Sequence, residues 1–299
     1  MIYICIPVFN RLSYTINCIE SIIRQEFENY KIVICDDGST DGTADTLREK
    51  YPFVIILSGN GNLWWSGATN ECVKYVLSVC KDDDFVFTLN NDTELSDDCL
   101  SIAYNFALAN PLSIMACGNY FYNNRTRIEG TAFVKRNKWP FSLYHGLLFH
   151  WGADVSQLEE MVYKVDSVSG KGVLIPVKVF KKIGLYNSLK LPQYHGDQEF
   201  SRRAGESGFE IYINLNARVY TDQTASGIGQ VNSKVSVRDF LKSFSSFRSE
   251  NHLPSLYNRA RIIYKRKWPI YLFFNIVSIV ARFGMRVIRV GFNKNQVSL

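Results

Sequence analysis

Short apolar blocks alternate with amphipathic stretches through the first ninety residues. Residues 2–8 read as a fully buried strand, ended by Pro7 and the turn-prone Asn10. Residues 13–25 read as a helix, with Ser13 as its cap and Ile16, Ile19, Ile22 and Ile23 as its apolar stripe. Strands follow at 31–35, 53–57 and 85–89, separated by helices at 41–49 and 67–80. The 67–80 helix carries Ala68, Cys72, Val73, Val76 and Leu77 at helical spacing. Alternating strands and helices with short connections predict an α/β fold with a doubly wound parallel sheet.

The pattern loosens after residue 90. Strands are predicted at 115–121 and 128–135, and the aromatic-rich stretch 136–165 reads as walls over the first half. Residues 168–176 lead into a helix at 177–183, and 199–207 also reads as helical. Strands at 211–215 and 218–220 complete this part. The tail differs again. Trp268 to Ala281 is almost wholly apolar, flanked by Lys265, Arg266 and Lys267 on one side and Arg282 on the other. That run is shorter than the roughly 20 residues a spanning helix needs. Continued to Phe292, it places Arg282, Arg286 and Arg289 on one helical face. Such a helix suits the surface of an anionic membrane, or a docked position with a solvated basic face.

Charge sharpens this division. The chain of 299 residues has a net charge of +6, yet no Asp or Glu follows Glu250 while nine Lys and Arg do. The body is therefore mildly acidic and the tail a separate basic module. Three units are expected: a catalytic domain at 1–225, a linker or lid with a helix at 226–256, and a basic amphipathic segment at 257–299. Hydrophobic residues make up 46% of the chain, which excludes wholesale disorder. Seven cysteines without a CxxC pair read as reduced thiols of a cytosolic protein. The N-terminus opens directly on a strand pattern, so no secretory signal is expected there. Nucleic acid is a poor partner for the tail, because its apolar run suits lipid better than a phosphate backbone.

Candidate chemistry lies where the strands end. Asp36 and Asp37 follow the second strand, and Asn90, Asn91 and Asp92 follow the fourth. A later loop reads Gly196-Asp197-Gln198-Glu199. Open α/β sheets bind ligands at such strand ends. Carboxylates gathered there repel one another unless a cation or a hydrogen-bonding ligand offsets the charge. The loop Asn60 to Asn70 enters a helix whose free N–H groups attract a diphosphate. Within it Gly67 permits close approach, and Trp64 or Trp65 offers a face for a sugar or base, or packs in the core.

The order Pro7-Val8-Phe9-Asn10, Cys35 to Thr43, Asn60-Gly61-Asn62 through Gly67-Ala68-Thr69-Asn70, and Leu89 to Thr93 resembles family 2 glycosyltransferases. The resemblance spans about residues 2–225. It implies a GT-A fold, Rossmann-like, with a C-terminal helical, basic-apolar appendage. It also implies a nucleotide-sugar donor, a divalent metal (Mg²⁺ or Mn²⁺) and inversion at the anomeric carbon. Position by position it implies donor contacts at Pro7, Val8, Asn10, Asp36, Asp37, Asn62, Gly67, Asn70 and Asn91. Asp92 takes the metal position of a motif whose first acid is an amide here. Asp222 or Thr221 stands where relatives carry a metal-binding His. Asp197 takes the catalytic-base position, or caps the following helix, and Gly196 replaces the preceding Glu. Arg203 steadies a carboxylate or phosphate. Trp64, Trp65, Gly170, Lys171, His195 and Glu199 are the expected sugar and acceptor contacts, and the 226–229 segment is a lid or a linker.

The implied activity is transfer of a sugar from a UDP- or dTDP-sugar to a hydroxyl of a lipid-linked or growing saccharide, as in bacterial surface-polysaccharide synthesis. The loops look most like the subgroup containing rhamnosyltransferases. The implied location is cytoplasmic, peripheral at the inner membrane face. The alternatives are a catalytically silent sugar-nucleotide or glycan-binding scaffold and a nucleotidyltransferase. The latter lacks its glycine-rich basic loop at Pro7 to Arg11.

Overall fold

The computed structural model describes residues 1–136, 144–222 and 236–296. The first strands and helices alternate as β1 (Ile2–Val8), α1 (Leu12–Ile23), β2 (Tyr30–Asp36), α2 (Thr43–Lys50), β3 (Ile55–Ser58), α3 (Trp64–Val79) and β4 (Phe85–Thr88). Strands β3, β2, β1 and β4 lie side by side and parallel. Their chain directions agree, so the loops after Val8, Asp36, Ser58 and Thr88 all leave at one edge of the sheet.

Side-chain alternation builds a core on each face. Ile2, Ile4, Ile6 and Val8 pack with Cys18, Ile19 and Ile22 of α1 and Leu47 of α2. Tyr3 and Cys5 point the other way, onto Ala68, Cys72, Val73 and Val76 of α3. Helix α4 (Cys99–Ala109) joins the first face through Leu100 and Ala103. This helix is not apparent in the sequence pattern, because Phe106 and Leu108 add apolar residues outside the buried stripe of Leu100, Ala103 and Ala107.

The rest of the sheet is mixed rather than purely parallel. Short β5 (Thr93–Leu95) follows β4, and β6 (Ser113–Phe121) follows α4. Strand β7 (Asn124–Ile128) continues it antiparallel, with β10 (Ala153–Asp154) at the edge. Strand β13 (Val173–Pro176) inserts antiparallel between β4 and β6, and feeds α5 (Val177–Ile183). The two strands expected at 211–215 and 218–220 are one, β14 (Glu210–Thr221), bulged between Asn214 and Arg218. It pairs with β6, with β5, and with β11 (Val162–Lys164). A separate three-stranded sheet joins β8 (Ala132–Arg136), β9 (Tyr144–Leu147) and β12 (Ser167–Val168). Helix α6 (Gly196–Glu206) packs Phe200 and Ala204 onto the α3 face. All seven cysteines are free thiols.

After residue 235 come α7 (Val237–Ser243), α8 (Leu253–Tyr264) and α9 (Trp268–Gln296). Helices α8 and α9 meet through a Tyr264–Tyr271 ring stack at 3.6 Å. Phe283 stacks on Phe240 of α7 at 4.0 Å. The opposite face of α9 leaves Ile270, Phe273, Val277, Val280 and Ile288 exposed. Among the described residues, the stretch Leu253–Ile288 is long and apolar enough to cross a membrane by length and composition alone. The 226–229 segment lies outside the described residues.

Candidate active site

The edge where β1 and β2 end is held together by carboxylates bonded to backbone N–H groups. Asp37 is buried, and its Oδ1 accepts from Gly61 N at 2.8 Å. Its Oδ2 accepts from Leu63 N at 2.8 Å and Trp64 N at 3.0 Å. Both oxygens therefore take part in shaping the loop that enters α3. Asp36 differs. Its Oδ1 accepts from Ser39 N at 2.8 Å, an Asx turn, and its Oδ2 has no hydrogen-bond partner among the described residues. Asp36 is the carboxylate left with acceptor capacity.

Pro7 and Val8 end β1 opposite Cys35 and Asp36. Asn10 N donates to Ser39 Oγ at 2.7 Å, and Asn10 Oδ1 accepts from Thr40 N at 2.8 Å. Ser13 does not cap α1. Leu12 N donates instead to Asp41 Oδ2 at 3.0 Å, from the neighbouring loop. Asn62 is exposed and Gly67 buried, both at the start of α3. Asn70 faces Tyr186. Its buried amide bonds both the N–H and the carbonyl of Tyr186, so it fastens α3 to the 186–191 loop. Asn91 is likewise buried, and donates to Thr15 Oγ1 at 3.0 Å, fastening α1.

The turn between β4 and β5 carries the implied metal position. Asp92 Oδ2 accepts from Arg11 Nη1 at 3.2 Å. Asp92 Oδ1 is buried with no partner among the described residues. Thr93 pairs with Thr221 at the end of the β5–β14 ladder, so Asp92 and Asp222 stand one residue beyond it on facing strands. Tyr14 donates to Asp222 Oδ2 at 3.3 Å. Among the described residues no group of three His, Cys, Asp or Glu converges as a metal cluster. The donor set nonetheless fits a hard cation. Mg²⁺ or Mn²⁺ takes one or two carboxylates and draws its other ligands from phosphate and water, and the orphaned Oδ1 is an oxygen left available for one.

The far wall is tied to this turn through Trp65. Its Nε1 donates to Asn90 Oδ1 at 2.8 Å. Its ring lies so close to Gly170 that a Cβ there would sit 2.5 Å from the indole. Gly170 N in turn donates to Asp197 Oδ2 at 2.8 Å, while Gln198 N donates to Oδ1 at 2.8 Å. Burial pushes the Asp197 carboxyl up from its ordinary range, and the two N–H donors only partly counter it. A carboxylate in that state takes up a proton more readily than an exposed Asp. Asp197 is inside α6, whose preceding residue is His195 in a left-handed conformation at φ 70, so the capping alternative does not hold. Gly196 is closely packed, since a Cβ there would meet Ser66 Oγ at 2.5 Å.

His195 keeps a buried Nε2 without a partner among the described residues, and burial followed by Arg259 drives its proton affinity well down. Its ring is therefore neutral at pH 7. Glu199, one of the expected acceptor contacts, is held within its own helix. It is buried and gripped by Arg203, whose Nε donates at 2.8 Å and Nη2 at 3.1 Å. Arg203 also donates to the carbonyls of Ile183 and Leu185, so it does steady a carboxylate, as a brace of α6. Lys171 donates to Glu129 Oε2 at 2.8 Å. Burial opposes its charge, but Glu129 and then Asp92 outweigh that and raise its proton affinity. Trp64 meets the ring of Phe247 at 5.4 Å between centroids. Sequence reasoning missed Phe247, Arg11 and Arg259. Arg259 donates to Gln198 Oε1 at 2.9 Å from α8, and nothing in its sequence neighbourhood signals that distant partner.

Comparison with known proteins gives this geometry a family. The model of "Glycosyl transferase family 2" matches residues 3–159. Chondroitin synthase of Escherichia coli is 30% identical over 143 residues, covering 47% of this chain and 20% of that protein. Poly(ribitol-phosphate) beta-glucosyltransferase of Bacillus spizizenii is 29% identical over 119 residues, 38% of this chain and 18% of that protein. The chain thus spans a fifth or less of the length of these relatives. Among solved structures, GalNAc-T7 with UDP, GalNAc and Mn²⁺ superposes with a TM-score of 0.64 at 13% identity, over 91% of this chain and 49% of that one. TarS of S. aureus, residues 1–349 with UDP-GlcNAc, gives 0.55 at 15% identity, over 87% and 71%. At such identities these likenesses speak for the fold, which is GT-A. With over half of its length inside the family model, and its acidic loops at the sheet edge, the chain belongs to glycosyltransferase family 2.

Proposed function

We propose that this glycosyltransferase moves a sugar, with inversion, from a uridine or thymidine diphosphate donor to a hydroxyl of a lipid-linked or growing saccharide. The observation that carries the reading is the run of contacts from Asp92's turn through Trp65 and Gly170 to Asp197. It links a carboxylate with an orphaned oxygen to a carboxylate of raised proton affinity. UDP in both solved neighbours supports the uridine donor, and relatives that are polysaccharide synthases support the saccharide acceptor.

In this reading Asp36 accepts from the N3–H of the pyrimidine, and Pro7, Val8 and Asn10 line the base and ribose. Asn62 and Gly67 line the diphosphate side, although the N–H groups opening α3 are taken by Asp37, Gln193 and the Pro192 carbonyl, which corrects the expectation of free N–H donors there. Asp92, with Asp222 beside it, holds a divalent cation. Such an ion, when bound, offsets the charge of the departing diphosphate. Asp197 removes the acceptor hydroxyl's proton, and neutral His195 accepts a hydrogen bond from the same sugar. Trp64, Trp65, Gly170 and Lys171 form the walls. The body runs to Asp222, residues 236–264 close the acceptor side, and α9 rests on an anionic inner membrane face through its exposed apolar stripe.

The test is thermal unfolding of the full chain with UDP, UDP-sugars and dTDP-sugars, with and without Mn²⁺, followed by transfer to saccharide acceptors. A donor at 100 times its Kd stabilises by about 2.7 kcal/mol. Transfer that disappears in Asp92→Ala and Asp197→Ala supports the assigned roles. No stabilisation by any uridine or thymidine diphosphate compound sinks the donor assignment.

A further inference from the structure

The donor edge carries a cation that the reading above leaves unused. Arg11 sits between β1 and α1, 81 residues from Asp92, and its guanidinium stands on Asp92 Oδ2 at 3.2 Å. The two partners are unequally placed: 9% of the Asp92 side chain is exposed, against 44% of Arg11. Asp92 is thus an enclosed carboxylate with one oxygen on Arg11 and the other, Oδ1, orphaned. A half-satisfied enclosed anion favours a further positive partner.

Backbone strain points to the same residue. Asn10 at φ 58 and Arg11 at φ 65 are two successive non-glycine residues in the left-handed region. That conformation is costly for side chains beyond glycine, and it persists where surrounding structure over-determines it, typically at ligand clamps. Here the surroundings do so. Ser39 Oγ accepts from the Asn10 N–H, Thr40 N–H donates to the Asn10 side-chain oxygen, and Asp41 accepts from the Leu12 N–H just after Arg11. The loop thereby aims Arg11 across the edge. The next turn of the same helix reaches the same place, with Tyr14 on Asp222 and Thr15 on Asn91. An exposed, long-stemmed guanidinium is matched to phosphate oxygens as well as to a carboxylate.

We propose that Arg11 is the resident counter-ion of the donor site. It neutralises Asp92 while the site is empty, then yields that carboxylate to the divalent cation and takes the donor's diphosphate oxygens instead. This rests on the donor reading above and adds a sign to it. Arg11 opposes a metal that arrives alone and favours a nucleotide that arrives with metal. A plain structural ion pair has no such split effect.

The experiment is calorimetric titration of the full chain with Mn²⁺ alone and with UDP in saturating Mn²⁺, with melting curves to show that each variant is folded. Arg11→Met keeps the stem and removes the charge. It is expected to tighten Mn²⁺ alone by about fivefold, the scale of one partly screened ion pair. It is also expected to weaken UDP in Mn²⁺ by about tenfold. Arg11→Lys keeps Mn²⁺ binding as weak as in the unmodified protein. The Mn²⁺ gain disappears when Arg11→Met is combined with Asp92→Asn. Mn²⁺ affinity that is unchanged or weaker in Arg11→Met, or UDP affinity that does not fall, overturns the inference while leaving the donor reading intact. Failure of the unmodified protein to bind UDP at all removes both.

Discussion

Two acidic turns at the same sheet edge use their carboxylates in opposite ways. After β2, Asp37 has three backbone N–H donors on its two oxygens. After β4, Asp92 has one side-chain donor and an orphaned oxygen. The first carboxylate is saturated by its own chain and shapes a loop. The second retains capacity for something the chain does not provide. Motif resemblance groups the two, and hydrogen-bond accounting separates them. The far wall divides by charge instead: Glu199 is paired with Arg203, while Asp197 has only backbone N–H donors and burial raises its proton affinity.

The largest expected effect lies with the carboxyl of raised proton affinity. Asp197→Asn should slow transfer by about 10³-fold, within the range of a lost general base. Single-turnover transfer measures it, and near-normal turnover would remove Asp197 from the chemistry. The unmodified enzyme should carry the matching pH dependence. The Asp197 carboxyl holds its proton to higher pH in the folded chain than unfolded, so activity rises as pH climbs through that raised value. Over the same interval the protein loses stability, because the folded state surrenders a proton it binds more tightly than the unfolded state does.

The saturated group should show the reverse balance. Asp37→Ala orphans three N–H groups at once and should lower unfolding stability by about 3 kcal/mol in urea titration. Asp92→Ala should move the same quantity by only about 0.5 kcal/mol, since little is bonded there. Equal losses in the two variants would erase the contrast. The smallest effect concerns α9. Phe273→Ser should cut partition onto anionic vesicles by about tenfold, in line with one large apolar side chain left in water. Unaltered sedimentation with vesicles would detach α9 from lipid.

Periodicity made β1 to β4 and their helices legible because each strand there is bracketed by its own turn residues and its own amphipathic helix. It failed for β5 and α4. Three-residue β5 has no period to read, and its partner β14 lies more than a hundred positions away. The acid positions were legible as places, since strand ends are places. Their occupancy was not. Whether Asn70 meets a nucleotide or the backbone of Tyr186, or Asp37 a base or its own loop, depends on contacts made only once the chain is folded. Gly196 and Gly170 explain themselves only afterwards, as space needed by Ser66 and Trp65.

Helix α8 touches both ends of this design. It reaches the residue beside Asp197 through Arg259, grips the Lys190 carbonyl through Asn258, and stacks Tyr264 on Tyr271 of α9. A lipid-riding α9 joined in this way would hold the Asp197 wall at a constant height over the bilayer. Reach, and not sugar chemistry alone, would then decide which glycan ends the enzyme can extend.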